Sequence, residues 1–341
     1  MVDRRPTAAS NLVETVGADF IPARLAVACI WNPSLRRAIH RNFYFFILNL
    51  SAMLYLSEFR FAGENDEFNF FTAQRRTCYD SYYPFQVFPD KGLRALDFAD
   101  ITILYGGNGS GKTTALNVIA ETLRLRRGVP FNSTSFFPAY CRLCDAHLLH
   151  ALPAESAILT SDDVFETMLD LRAINEGIDR RRDELFAEAQ NAKYSKFQLR
   201  SLDDYDRLKQ VSEARRLSQS RYVRARLMDN ARTYSNGESA FRFFTGRIRS
   251  GALYLLDEPE NSLAPALQQE LADFLAGAAR FDRCQFVIAT HSPFLLAMPG
   301  ARVYDLDSAP VRARRWTELP NVRVYYEWFA AHAAEFEGDA E

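Results

Sequence analysis

Eight consecutive residues, Gly106-Gly107-Asn108-Gly109-Ser110-Gly111-Lys112-Thr113, fit the pattern G-x-x-x-x-G-K-[ST] at every fixed position. Glycines let the backbone turn its N–H groups inward around phosphate oxygens. A helix opening at Lys112 adds its positive N-terminal end to the same anion site. In such a loop the lysine reaches the outer phosphates of a nucleotide and Thr113 offers a hydroxyl to Mg2+, with Thr114 next in the binding segment.

Three further groups have the chemistry to complete a site. In Leu255-Leu256-Asp257-Glu258, Asp257 ends an apolar stretch and can hold Mg2+ through water. Glu258 then stands where a carboxylate can polarise an attacking water as general base. Acids at strand ends are often plain loop residues, so the pair gains its meaning from the loop upstream. His291, in Ala289-Thr290-His291-Ser292-Pro293, can contact a γ-phosphate or the attacking water. Ser235-Asn236-Gly237-Glu238-Ser239 is small and polar and opens a helix, which makes it either an ordinary cap or an anion site. Asp257 follows Ser235 by 22 positions, and His291 follows Asp257 by 34.

The elements that must position these residues are legible in outline. Residues 53–61 alternate towards their end as a half-buried strand does. Residues 62–100 mix acidic loop, aromatics and turn signals, and read as short strands and hairpins. Apolar strands are expected at 101–105, 252–257 and 285–290, with further short ones at 156–160 and 303–306. Helices are expected at 112–125, 265–280 and 321–337. Residues 128–155, with Pro130, Pro138 and Pro153, read as irregular. From Ser161 to about 233 the chain is charged and reads as two helices, broken near 201–204.

Composition sets wide bounds. The chain has 341 residues, 48% of them hydrophobic and 25% charged, enough for a sizeable core. A net charge of −2 gives no global sign of a nucleic-acid partner. Five cysteines without regular spacing suggest a reducing cytoplasm. The longest uncharged run lies between Arg41 and Glu58; it contains Asn42, Asn49 and Ser51 and falls short of the ~20 apolar residues a spanning helix needs. We expect no membrane partner. Residues 1–52 carry no motif, and Met53 is an alternative start.

Taken in order, the motifs resemble those of an ABC-type ATPase head. More narrowly, residues 53–341 are similar to soluble bacterial AAA-family ATPases related to SMC-like and OLD-type heads. The likeness rests on 106–113, on 235–239, on Asp257-Glu258-Pro259-Glu260-Asn261-Ser262-Leu263 and on 289–293. It implies hydrolysis of ATP to ADP and phosphate, with ATP and Mg2+ bound. It also implies an ATP-dependent homodimer in which Ser235 and Gly237 of one copy meet the γ-phosphate held by the other, with 261–263 crossing the interface. Glu260 departs from the threonine usual in transporter subunits and matches soluble heads.

Several residues keep two readings. The polar Mg2+ sensor of such heads is normally glutamine, whereas here the matching place holds Ser161-Asp162-Asp163; Asp162 is a water-mediated metal ligand or part of a helix cap. Tyr79, Tyr82, Tyr83 and Phe85 stack on adenine or pack in the core. Cys141, Cys144, His147 and His150 bind zinc only if their helix is broken, and otherwise pack ordinarily. Arg215, Arg216, Arg221, Arg224, Arg226 and Arg232, with Glu213 and Asp229 among them, form a solvated face or a surface for DNA or a partner protein.

The expected fold class is α/β, a P-loop NTPase of ABC-ATPase head type with an inserted helical lobe. Residues 53–160 and 235–341 would form the core lobe, 161–234 the helical lobe, and 1–52 an N-terminal extension. The expected function is a cytoplasmic ATP switch in DNA repair or phage defence. The alternatives are a transporter's ATPase subunit and the regulator of a separate nuclease; the 50 residues after His291 are too few for an OLD-type nuclease domain.

Overall fold

The computed structural model describes residues 53–75, 78–198, 201 and 204–337. The proposed extension 1–52, with most of the uncharged run, lies outside them. Strand β1 (Leu56–Arg60), helix α1 (Glu64–Ala73) and strand β2 (Ala95–Asp97) precede strand β3 (Ile101–Tyr105), which feeds the glycine loop and helix α2 (Lys112–Leu123). Helix α3 (Phe137–Cys141), strand β4 (Asp145–Leu148) and strand β5 (Ala157–Thr160) follow. The charged region forms α4 (Ser161–Tyr194), α5 (Tyr205–Arg216) and α6 (Gln219–Arg224). Then come α7 (Asn236–Arg247), β6 (Leu253–Asp257), α8 (Pro265–Phe281), β7 (Gln285–Ala289) and α9 (Pro293–Leu296). Strands β8 (Arg302–Asp305) and β9 (Arg312–Arg314) and helices α10 (Pro320–Ala331) and α11 (Ala333–Glu337) end the described chain.

Six strands form one sheet in the order β5-β6-β7-β3-β8-β9. All are parallel except β9, which runs against β8. Every residue of β3, β6 and β7 is buried, which explains why their sequences are apolar without alternation. The two faces of the sheet feed separate cores: Leu104 and Leu255 face the one that holds α2, while Ile103, Leu256 and Ile288 face the one that holds α8. The architecture is a parallel-dominated α/β fold of P-loop NTPase type.

A second, antiparallel sheet (β2-β1-β4) is fastened to the first by a buried glutamine. Gln285 Oε1 accepts from the Tyr55 and Leu56 amides (2.9 Å each), and its Nε2 donates to the Leu56 carbonyl (2.7 Å). A fully buried polar side chain at the start of β7 is tolerated because it is fully bonded. The long helix α4 packs its C-terminal half on α5 and α6 around Leu185, Val211, Tyr222 and Val223, a core of its own.

Three sequence expectations need correction. The acidic stretch read as loop within 62–100 is α1: Glu64, Asp66 and Glu67 occupy its first turn, where negative charge suits the helix end, and Asp66 accepts from the Gly63 amide. Residues 128–155 are not wholly irregular, since Pro138 sits in the first turn of α3, where its missing N–H costs nothing, and β4 follows. The charged region forms three helices rather than two, and its arginines are spread over α5, α6 and the loop beyond.

Candidate functional site

The sheet order brings the motifs together. The glycine loop leaves the end of β3, Asp257 is the last residue of β6, and His291 follows β7, which lies between those two strands. Register holds them level: Asp257 pairs with Ala289, and Ala289 pairs with Leu104. Ligands of parallel α/β sheets lie at the carboxyl ends of strands, and this is such an end.

The glycine loop turns through left-handed backbone at Gly109 (φ 78°) and Gly111 (φ 92°), conformations that favour glycine. Asn108, Gly109 and Thr113 are exposed, whereas Lys112 is 5% exposed. That buried ammonium donates to the carbonyls of Gly106 (2.8 Å) and Gly107 (3.1 Å) and lies 3.8 Å from Glu258 Oε1. Thr113 Oγ1 donates to Asp257 Oδ1 (3.1 Å). Thr114 Oγ1 accepts from the Tyr83 hydroxyl (3.0 Å).

Glu258 has φ 47°, left-handed for a residue with a side chain, and Ser262 has φ 68°. Such strain, on the order of 1 kcal/mol each, collects at functional loops. The turn aims Glu258 back over the loop, where Asn261 Nδ2 donates to Glu258 Oε2 (3.1 Å) and also reaches Ser161 Oγ (3.4 Å). Glu260 is buried; its Oε1 accepts from the Thr290 hydroxyl (2.6 Å) and the His291 amide (2.9 Å) and lies 3.5 Å from His291 Nδ1.

Ser235 is the cap of α7: its Oγ accepts from the Glu238 amide (3.3 Å), and Glu238 Oε2 accepts from the Ser235 amide (3.3 Å). The cap is exposed, as are Asn236 and Glu238, and among the described residues no hydrogen bond or ion pair joins it to the loop 106–114 of its own chain. Gly237 instead lies against the loop after Glu258, where a Cβ would fall 2.9 Å from the Ser262 carbonyl oxygen.

The residues with two readings sort by contact. Asp163, not Asp162, closes the capping box of α4 with Thr160 (2.7 Å), and Asp162 is exposed. Tyr79 and Tyr82 pack on Phe136, and Phe85 stacks on Phe70 at 4.3 Å, which is the core reading. For zinc, no metal-holding cluster exists among the described residues: His147 Nδ1 sits 2.6 Å from Ser57 Oγ, and Cys144 Sγ lies 3.5 Å from the Tyr140 carbonyl oxygen. Arg215 donates to the Ser195 carbonyl, and Arg226 pairs with Glu213 and lies 3.7 Å over the Tyr222 ring. Those two arginines hold the helical region together. Arg216, Arg221 and Arg224 remain exposed.

Two contacts escaped sequence reading. Asp307 Oδ2 accepts from the Gly107 amide (2.7 Å), and Lys91 Nζ donates to the carbonyls of Ser110 (2.6 Å) and Leu306 (3.2 Å). Together they tie the glycine loop to the end of β8. Lys91 lay in a segment read only as a turn, and Asp307 was one more acid after a short strand.

Residues 149–297 match the family model described as "AAA domain, putative AbiEii toxin, Type IV TA system", a span that takes in Ser235, Asp257, Glu258 and His291. The glycine loop lies upstream of that span, on β3 of the same sheet. Over that span the chain is similar to an AAA domain, and with the glycine loop on the same sheet it has the fold of a P-loop NTPase. No match to curated proteins was found. Solved structures to which it is similar include "An inward-facing conformation of a putative metal-chelate type ABC transporter", at 15% identity and TM-score 0.32, covering 67% of this chain and 77% of the other. Another is Stu0660 of Streptococcus thermophilus, at 13% identity and TM-score 0.34, covering 69% and 75%. Among the described residues no helix is long and apolar enough to cross a membrane.

Burial raises the Asp257 carboxyl to about 7, helped by the charges of Glu258 and Glu260 and opposed by Thr113 and Lys112. The folded protein therefore holds a proton that the unfolded chain releases near pH 4, and stability falls as pH rises from about 4 to about 7. Asp257→Asn should raise the thermal midpoint of the nucleotide-free protein by several degrees at pH 8. The gap to the parent should close as the pH is lowered towards 4. Differential scanning fluorimetry across that range tests this, and a variant less stable than the parent at pH 8 would refute it.

Proposed function

We propose that the chain is an ATP-hydrolysing switch that closes as a homodimer around ATP. The observation that carries the reading is the convergence of Lys112, Thr113, Asp257 and Glu258 at the ends of neighbouring parallel strands. The backbone amides of 106–114 and the start of α2 bind the phosphates. Lys112, already stripped of water and resting on two carbonyls, turns to the β- and γ-phosphate oxygens without first being desolvated. Glu258 takes the proton from the attacking water, its far oxygen held by Asn261. His291, anchored through its amide on Glu260, contacts the γ-phosphate.

Mg2+ fits the donors present. Thr113 and Asp257 offer two hard oxygens 3.1 Å apart, and no closed cage exists among the described residues, as suits an ion that keeps waters and phosphate ligands. When bound, the ion neutralises phosphate charge, held by Thr113 and, through water, by Asp257; Asp162 is a further candidate at the same edge.

Dimerisation is supported by what each copy leaves exposed: the loop at Asn108 and Gly109, and the cap at Ser235. A second copy's Ser235 and Gly237 would close the open side of the phosphates. The Pro259-Glu260-Asn261-Ser262 wording, shared with soluble heads, supports a switch acting in DNA repair or phage defence over a transporter subunit. Sedimentation velocity with a non-hydrolysable ATP analogue and Mg2+ should show a doubling of mass for the parent and none for Ser235→Arg. A parent that stays monomeric under all nucleotide conditions would sink the paired-site reading.

A further inference from the structure

A cavity of about 680 Å3 opens between the His291 loop and helix α10. Its wall is aromatic, with Trp316, Tyr325, Tyr326 and Phe329, and its polar floor includes Glu260. Glu260 is 5% exposed. One of its carboxylate oxygens serves Thr290 and His291, and the other, Oε2, has no hydrogen-bond partner among the described residues. A buried, unpaired carboxylate oxygen is costly, and a cationic donor is the group that satisfies it best. Aromatic faces next to a carboxylate favour the same chemistry, since ring faces attract cations and guanidinium most of all.

The chain's own arginine on this wall is committed elsewhere. Arg323 lies 3.5 Å from Glu327 and over the ring of Tyr326 at 5.1 Å. It shows that the wall accepts a guanidinium while leaving Glu260 to another donor.

The site also extends beyond a small ligand. A second cavity of about 560 Å3 adjoins the first across Pro293, Phe294 and Trp316, and it carries the exposed carboxylate of Asp273. On the other side the rim continues over α10, where Tyr325 is 50% and Tyr326 63% exposed. An apolar surface of this extent beside two carboxylates marks a place for a polypeptide.

We propose that this groove binds a basic peptide segment of a partner protein, an arginine side chain seated between the aromatic wall and Glu260. Binding itself does not depend on the nucleotide reading. Its consequence does: Glu260 also holds the His291 amide, so a guanidinium on Glu260 bears directly on the residue assigned to the γ-phosphate.

The test uses the full chain without nucleotide and a fluorescein-labelled, capped peptide with one arginine flanked by leucines, read by anisotropy. Its citrulline counterpart has nearly the same shape and no charge. The arginine peptide should bind at least tenfold more tightly. Glu260→Gln should erase that difference, and Tyr325→Ser with Tyr326→Ser, both at exposed positions, should weaken both peptides. Equal binding of the two peptides, no binding, or an arginine preference that survives in Glu260→Gln would overturn the proposal. So would self-association of the parent that the tyrosine substitutions abolish, which would make a second copy the occupant. A peptide that binds as expected while no ATP turnover is measurable would instead overturn the nucleotide reading alone.

Discussion

Glu258→Gln should lower the rate of ATP hydrolysis by a factor of about 10²–10⁴ while leaving ATP binding nearly intact, the range expected when a general base is removed. The substitution keeps the size and shape of the side chain, and the amide oxygen can still accept from Asn261 in place of Oε2. What is lost is the group that accepts a proton from water, together with the negative charge 3.8 Å from Lys112. Losing that charge frees Lys112 for phosphate, so affinity for ATP should hold or rise. Product formation at saturating ATP and equilibrium binding of a fluorescent ATP analogue separate the two effects. Turnover within threefold of the parent would mean that another group takes the proton.

Lys112→Ala should have the opposite signature, with ATP affinity falling about a hundredfold or more, as when one partner of a buried charged hydrogen-bonded pair is cut away. The ammonium is buried, it sits on the Gly106 and Gly107 carbonyls, and no other lysine among the described residues donates to those two atoms. Its removal takes a preorganised cation from the phosphates and leaves two carbonyls aimed at negative charge. Binding of the same fluorescent analogue decides the matter. An affinity within fivefold of the parent would show that the backbone amides bind the phosphates without it.

The part of the fold that the residues announced is the part where local and global demands agree. The strands β3, β6 and β7 are buried on both faces, so their apolar runs had one interpretation. The glycine loop is a local backbone requirement and is visible in eight letters. Contacts that depend on tertiary approach were silent. Asp307 reaches Gly107 across 200 positions, and nothing in its neighbours marks it. Helix α1 was obscured because Glu64, Asp66 and Glu67 read as solvated loop until Gly63 is seen to cap against Asp66. The Cys141–His150 cluster had legal ligands, and its helix does end at Cys141 as a zinc site would require, yet the four form no metal-holding group among the described residues. The cavity beside Glu260 could not be read at all, because its walls come from α10 and the loops after β6 and β7.

Gly237 leaves no room for a side chain against the Ser262 carbonyl. The start of α7 and the strained loop after Glu258 are thus two parts of one solid piece. In a pair of copies, that piece belongs to one site through Glu258 and to the opposite site through Ser235. In the proposed dimer, a displacement caused by hydrolysis at one nucleotide would be delivered mechanically to the other. The two sites of such a dimer would have no independent binding constants: occupancy of either would be a variable in the affinity of its twin, and by linkage the influence would be equal in both directions.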